Sequence, residues 1–411
     1  MSLLSQLVPM VLFSLFQVVF STMFLVLIVV IGFQYSRLSK LKEHFFGYND
    51  QSIWRVTVIS TLFGLAGGFI GSFLMILFGI TLNGIGIAYL WGIALFLMLI
   101  NPRYLCFAYG GGLLSLVSLI FGWPEVNIPQ LMGLVAILHM VEALLILGSG
   151  HLDPVPVYLQ NRSGRVVGGF NLQKFWPIPI VALTTVSLAG PTTGGVAMPD
   201  WWPLIKPLAE VPPDLVFAII PVVAVLGYGE LAVTALPEQR TRVSAVNLGL
   251  YSLVLLGLAV AASRADSLRW LPALFAPLGH ELIILRGQKS ELEGQPRFVP
   301  PREGVMILDV LPGSVAAAAG LRRGQIITRV NGQPIYSRWD LLGMMEDNDR
   351  LELEVKPNSR WPSRRLMLIK PGTGQLGVIL VPEGPEEGHL DFTMSSPLGR
   401  WWGMICRKFR G

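Results

Sequence analysis

Long apolar runs fill the first two-thirds of the chain, and the last third switches to short alternating segments broken by glycine and proline. About 20 apolar residues of helix cross a bilayer core roughly 30 Å thick. That ruler predicts candidate spans at residues 11–34, 56–80, 84–100, 104–121, 130–148, 175–195, 215–236, 243–263 and 270–285. The sixth carries Pro177, Pro179 and Pro191, and the ninth is short and carries Pro272 and Pro277, so eight or nine crossings are expected. Residues 151–176 separate the fifth and sixth spans. There, strand composition at 155–160 and 165–170 flanks a turn at Asn161–Arg165, predicting a small hairpin that either docks on the C-terminal domain or is a solvated linker.

Composition sharpens this division. The chain is 52% apolar and 14% charged, whereas soluble domains carry about 25% charged residues. Charges are sparse to about residue 285 and frequent afterwards. The expected organisation is a membrane region at 1–285, a linker at 286–294, a folded domain at 295–372 and an extension at 373–411. A net charge of +5 is too modest for a nucleic-acid partner. The first residues lack the basic stretch of a signal peptide, so the first apolar run reads as a retained helix. Cys106 and Cys406 offer neither a disulfide framework nor metal-site spacing, and no cofactor is expected.

Lysine and arginine accumulate in cytoplasmic loops. One alternating set of loops holds Arg37, Lys40, Lys42, Arg55, Arg103, Arg162, Arg165, Lys174, Arg240 and Arg242; the other holds only Lys206, Arg264 and Arg269. This bias predicts an outside N-terminus in a plasma membrane. The C-terminal domain is inside if the ninth segment crosses and outside if it only dips; Arg286, Lys289, Arg297 and Arg302 favour the cytoplasm. Trp201 and Trp202 suit the headgroup layer, and the aromatic and basic tail at 397–411 suits a membrane surface.

The C-terminal segment has an ordered set of signals. Gly304–Val305–Met306–Ile307 opens a strand, Pro312–Gly313–Ser314 makes a turn, and a short helix ends at Gly320. Asn331–Gly332 is the preferred pair for a tight hairpin turn, and Ser337 caps an amphipathic helix running to Met345. In this order the pieces resemble a PDZ domain of bacterial membrane proteins and periplasmic proteases, a small α+β fold. The resemblance implies a groove that adds an extended peptide to a sheet edge. It implies a carboxylate loop at Glu303–Met306 with Arg302 nearby, an edge strand including Gly304, Val305, Met306 and Ile307, and a helix wall of Arg338, Leu342 and Met345. For any one apolar residue, a plain core role is an equal reading. Trp339 and the mid-helix Gly343 depart from the common pattern.

Ionisable residues within apolar spans are costly and point to function. They are His139 and Glu142, which share a helix face, with Glu230, His280 and Glu281. The bland reading is interhelical hydrogen bonding; the sharper ones are metal or proton chemistry. A zinc protease helix needs His-Glu-x-x-His, and Ile284 stands where the second histidine belongs after His280–Glu281. No other catalytic motif is evident, so no enzyme is expected.

The segments 138–147 (LHMVEALLIL), 168–176 (GGFNLQKFW), 227–231 (GYGEL) and 279–284 (GHELII) resemble the MinJ family of Gram-positive bacteria, polytopic PDZ proteins of division-site selection. That resemblance implies a membrane adaptor bridging a polar curvature-sensing coiled-coil protein and the Min inhibitor of division-ring assembly. The alternatives are a regulator or degenerate relative of an intramembrane PDZ protease, and a transporter using the buried glutamates and histidines.

Overall fold

The computed structural model describes residues 3–46, 47, 52–160, 164–187, 196, 198–206, 215–346, 348, 350–357, 363–369 and 376–384. The turn residues 161–163, Cys406 and the tail 397–411 lie outside the described residues.

Helices dominate the N-terminal two-thirds. They are α1 (Leu3–Val19), α2 (Thr22–Phe46), α3 (Ile53–Phe78), α4 (Ile87–Ile100), α5 (Phe107–Phe121), α6 (Ile128–Ser149), α7 (Pro237–Ala262) and α8 (Trp270–Glu293). Among the described residues, five helical segments are long and apolar enough to cross a membrane: Thr22–Lys40, Ile53–Phe78, Ile128–Ser149, Pro237–Ala262 and Asp266–Glu293. The expected first span is divided at Phe20–Ser21, where the Ser21 side chain caps α2 through the Phe24 amide. The third and fourth expected spans are short helices of 14 and 15 residues. At 1.5 Å per residue each covers only about 21–23 Å. A 3-10 turn at Pro102–Leu105 reverses the chain between them.

The largest departure concerns the sixth and seventh expected spans, which are strands. They lie in β2 (Val166–Ser187) and β3 (Leu215–Ala232), paired antiparallel from Phe170↔Ala232 to Ser187↔Leu215. A short β1 (Val155–Gln160) pairs with the start of β2. Continuous apolar runs of β-branched residues do not distinguish a buried strand from a helix by periodicity. The prolines do.

Beyond its pairing with β1, one edge of β2 faces α3 and α2, and several of its backbone donors find partners there. The Phe175 amide donates to the Tyr35 hydroxyl at 3.0 Å. Pro177 and Pro179 have no amide hydrogen. The Val181 amide donates to Ser72 Oγ at 2.8 Å, and the Leu183 amide to the Ile80 carbonyl at 3.2 Å. An edge in an apolar layer must leave no polar group unmet, and proline is tolerated where no ladder bond is needed. The strand runs parallel to α3: a Cβ on Gly64 would meet Pro177 O and one on Gly68 would meet Pro179 O, each at 2.1 Å. Four helical residues rise about 6 Å and two strand residues about 6.6 Å, so the two elements stay in step.

The C-terminal domain comprises β4 (Val305–Val310), α9 (Val315–Ala318), β5 (Ile326–Val330), β6 (Gln333–Pro334), α10 (Arg338–Glu346), β7 (Arg350–Lys356), β8 (Arg364–Ile369) and β9 (Val378–Leu380). The sheet order is β8-β7-β5-β4-β9, with β6 paired to β5. The domain sits on the β1–β2 hairpin. The Gly168 amide donates to the Phe298 carbonyl at 2.9 Å, and the Phe170 and Phe298 rings meet edge to face at 5.3 Å. The Tyr158 hydroxyl donates to the Leu380 carbonyl at 2.8 Å. Arg323 places its guanidinium 5.1 Å from the Phe170 ring while pairing with Asp309.

Candidate functional site

Two places concentrate chemistry: the sheet edge of the C-terminal domain and a polar cluster among the apolar helices.

At the sheet, the expected edge strand is an interior one. β4 is flanked by β5 through Val305↔Ile327 and by β9 through Ile307↔Leu380, so neither side is open to a peptide. Val305 and Ile307 are core residues at 2% and 0% exposure. Gly304 adopts φ 80° because its chain runs against its own domain: a Cβ there would lie 2.3 Å from the Ile327 carbonyl oxygen, and its amide donates to the Ile335 carbonyl. Gly304 thus approaches backbone rather than ligand. Met306 packs against the main apolar core, and Arg302 is exposed on the turn entering β4.

The last strand of the sheet is β9, in the segment 376–381 that lies beyond the expected domain end at Gly372. Its entry is fixed by the Leu376 carbonyl accepting from the Ala316 amide and the Gly377 carbonyl accepting from the Leu311 amide. Gly377 has φ 78°, and a Cβ there would stand 2.3 Å from the Ser314 Cβ. Just past β9, Glu383 accepts the Arg338 backbone amide at 2.8 Å, which joins the exit of the strand to the start of α10. Along α10, Met345 is buried in the same apolar cluster as Leu376, Val378 and Leu380, whereas Leu342 is 41% exposed. Arg338 is thus tied to the segment just past β9, and Met345 shares its apolar cluster with residues of both β9 and β4. An edge strand beside a half-exposed helix face can take an extended chain as one more strand.

The start of α10 is secured by a reciprocal cap. The Asp340 amide donates to Ser337 Oγ, and the Asp340 carboxylate accepts the Tyr336 and Ser337 amides at 2.8 and 2.9 Å. Those backbone bonds hold the Asp340 carboxyl below its ordinary range. Asp309 is shifted the other way, because burial raises it more than Arg323 lowers it.

Among the helices, Glu230 and the histidines belong to separate clusters. Glu230 pairs with Arg240 and accepts from the Tyr228 and Ser244 hydroxyls. Arg240 also faces Glu291 at 3.5 Å, and Glu291 accepts the Val233 and Thr234 amides at 2.7 and 2.8 Å. This network ties β3, α7 and α8 together; Glu291 escaped sequence reasoning because it lies just beyond the apolar part of α8.

His280 and Glu281 point to different partners. Glu281 accepts from Arg103 at 2.8 Å and from the Tyr109 hydroxyl at 2.5 Å. His280 and His139 both turn toward Cys106: the sulfur lies 3.0 Å from His139 Nε2 and 3.7 Å from His280 Nε2. Spacings of 33 and 174 residues hid this convergence of two imidazoles on Cys106. Glu142 follows His139 by one helical turn and is half-buried.

Comparison with known proteins agrees with this division. A PDZ-domain family model matches residues 306–357. The cell division topological determinant MinJ of Bacillus subtilis is 26% identical over 231 residues, which is 55% of this chain and 53% of MinJ. The serine protease HTRA4 of mouse is 37% identical over 65 residues, 16% of this chain and 14% of that protein. The periplasmic pH-dependent serine endoprotease DegQ of Escherichia coli is 28% identical over 115 residues, 24% of this chain and 25% of DegQ. The chain thus spans about half the length of MinJ, and a quarter or less of these two proteases. It contains a PDZ domain and, over slightly more than half its length, is similar to MinJ.

Proposed function

We propose that this protein is a membrane-anchored adaptor that recruits protein partners through its PDZ domain, acting in the placement of cell division. One observation carries the reading: a PDZ domain with an edge strand beside α10 is seated on a body whose helices are long and apolar enough to cross a bilayer. The seat matters. Gly168, Phe170 and Tyr158 engage Phe298 and Leu380, so the groove is presented from the anchor in a defined orientation. The similarity to MinJ supports the link to division, and the basic residues after α8 support a cytoplasmic PDZ domain.

An adaptor role without peptide hydrolysis is supported by Ile284 in place of a second histidine and by Glu281 being engaged by Arg103 and Tyr109. The experiment is to replace the chromosomal copy with Leu342→Arg and image division septa alongside a fluorescent fusion of the variant. The adaptor account expects the variant at the membrane with septa misplaced. Normal septum placement, or peptidase activity abolished by His280→Ala, would contradict it.

A further inference from the structure

We infer that Cys106, His139 and His280 form a binding site for a zinc-class divalent ion inside the helical body. This goes beyond the adaptor reading and does not depend on it.

The ligand atoms are already gathered. Cys106 Sγ and one ring nitrogen from each histidine all lie within 4.8 Å of one another. For tetrahedral zinc, bond lengths of about 2.3 Å to sulfur and 2.0–2.1 Å to nitrogen place sulfur and nitrogen roughly 3.6 Å apart. The observed separations of 3.0 and 3.7 Å bracket that value, so an ion enters with small side-chain rotations.

The surroundings orient the ligands. His139 Nδ1 lies 2.7 Å from the Val135 carbonyl, the arrangement in which Nδ1–H donates and leaves the Nε2 lone pair facing the sulfur. Among the described residues His280 Nδ1 is buried without a hydrogen-bond partner, so the polar engagement of that ring is concentrated at Nε2. Cys106 is the N-cap of α5, and its sulfur accepts the Ala108 amide. A helix N-terminus favours an anionic ligand atom there. Tyr251 and Tyr109 wall the site with ring contacts to the histidines at 5.6 and 5.3 Å.

Position gives the site its consequence. His139 lies 11 residues into α6, about 16 Å along its axis. Cys106 follows the turn at Pro102–Leu105, where α4 and α5 reverse. The ion would clasp that reversal to α6 and to α8, the helix that leads into the PDZ domain. Binding releases the thiol proton to solvent, and water completes a four-coordinate shell. One thiolate with two imidazoles suits zinc over magnesium or calcium, which prefer oxygen.

The test uses the full chain purified in detergent without chelator, in a Cys406→Ser background so that Cys106 is the one thiol. Elemental analysis should find one zinc per chain, and exchange with cobalt should produce a thiolate-to-cobalt charge-transfer band in the near ultraviolet. Cys106→Ser should abolish the band and His280→Gln should reduce bound zinc to background, while Glu142→Gln should retain both. Should these variants fail to fold, the parent chain still decides: maleimide should label Cys106 slowly until a chelator is added and rapidly afterwards. Labelling indifferent to chelator and to added zinc, or zinc content equal in Cys106→Ser, would overturn the site.

Discussion

Gly68 of α3 lies so close to Pro179 of β2 that a Cβ would stand 2.1 Å from the Pro179 carbonyl oxygen. The neighbour is backbone, so the strand itself would have to move. Gly68→Ala should therefore destabilise the fold by at least the 1–3 kcal/mol typical of overpacking (approximate values). Gly92 of α4 has nothing within 4 Å of its would-be Cβ. Gly92→Ala should be neutral or add up to about 1 kcal/mol through helix propensity. Thermal unfolding of the two full-length variants in detergent checks the contrast.

The buried Glu291 carboxylate holds two backbone amides, the Thr234 hydroxyl and one face of Arg240. Glu291→Ala would orphan all of these inside the protein. Removing one partner of a buried ion pair costs about 3–5 kcal/mol. The expected result is a large fall in melting temperature and faster proteolysis between α8 and β4.

Phe298 is fully buried where the PDZ domain meets the hairpin, against Phe170. Phe298→Ala should cost about 3–5 kcal/mol at that contact. The expected outcome is a domain that swings on its linker, read as a broadened distance distribution between spin labels at exposed Met367 and at Leu147. An unchanged distribution would show that the seat is held elsewhere.

Acid should loosen α10. The Asp340 carboxyl titrates below its ordinary value in the folded chain, so its stabilisation is present above the unfolded value and is lost as pH falls through the folded one. Hydrogen exchange across residues 338–346, corrected for intrinsic rates, should accelerate in the wild type as pH falls below the ordinary aspartate range. Asp340→Asn should show the faster exchange already at neutral pH. Ser337→Ala should weaken the same cap by about 1 kcal/mol.

What was legible in the sequence follows from range. The helices α3, α6 and α7 were visible as long apolar runs, and the PDZ pieces as turns at fixed offsets. Residues 175–195 and 215–236 read as spans because an apolar strand satisfied by a neighbouring helix has the same composition as a membrane helix. Pro177 and Pro179 were a signal, read as weakness in a helix when they mark two positions on the α3-facing edge of β2 that carry no donor. The groove was misplaced for a related reason. The PDZ resemblance puts the edge strand at Val305–Val310, but a segment some 70 residues later, Leu376 to Val381, closes over it. Likewise Cys106 at the start of α5, His139 in α6 and His280 in α8 are far apart in sequence, and only folding brings them together.

The most direct measurement places a photoreactive amino acid at Leu342, on the exposed face of α10, or at Met367, on strand β8 at the far end of the sheet from β9. Both side chains are exposed, and each full-length chain is irradiated in its own cells. A recruiting groove predicts defined protein adducts from position 342 and none of the same adducts from position 367. Absence of adducts at 342, or the same adducts from both positions, would contradict the account.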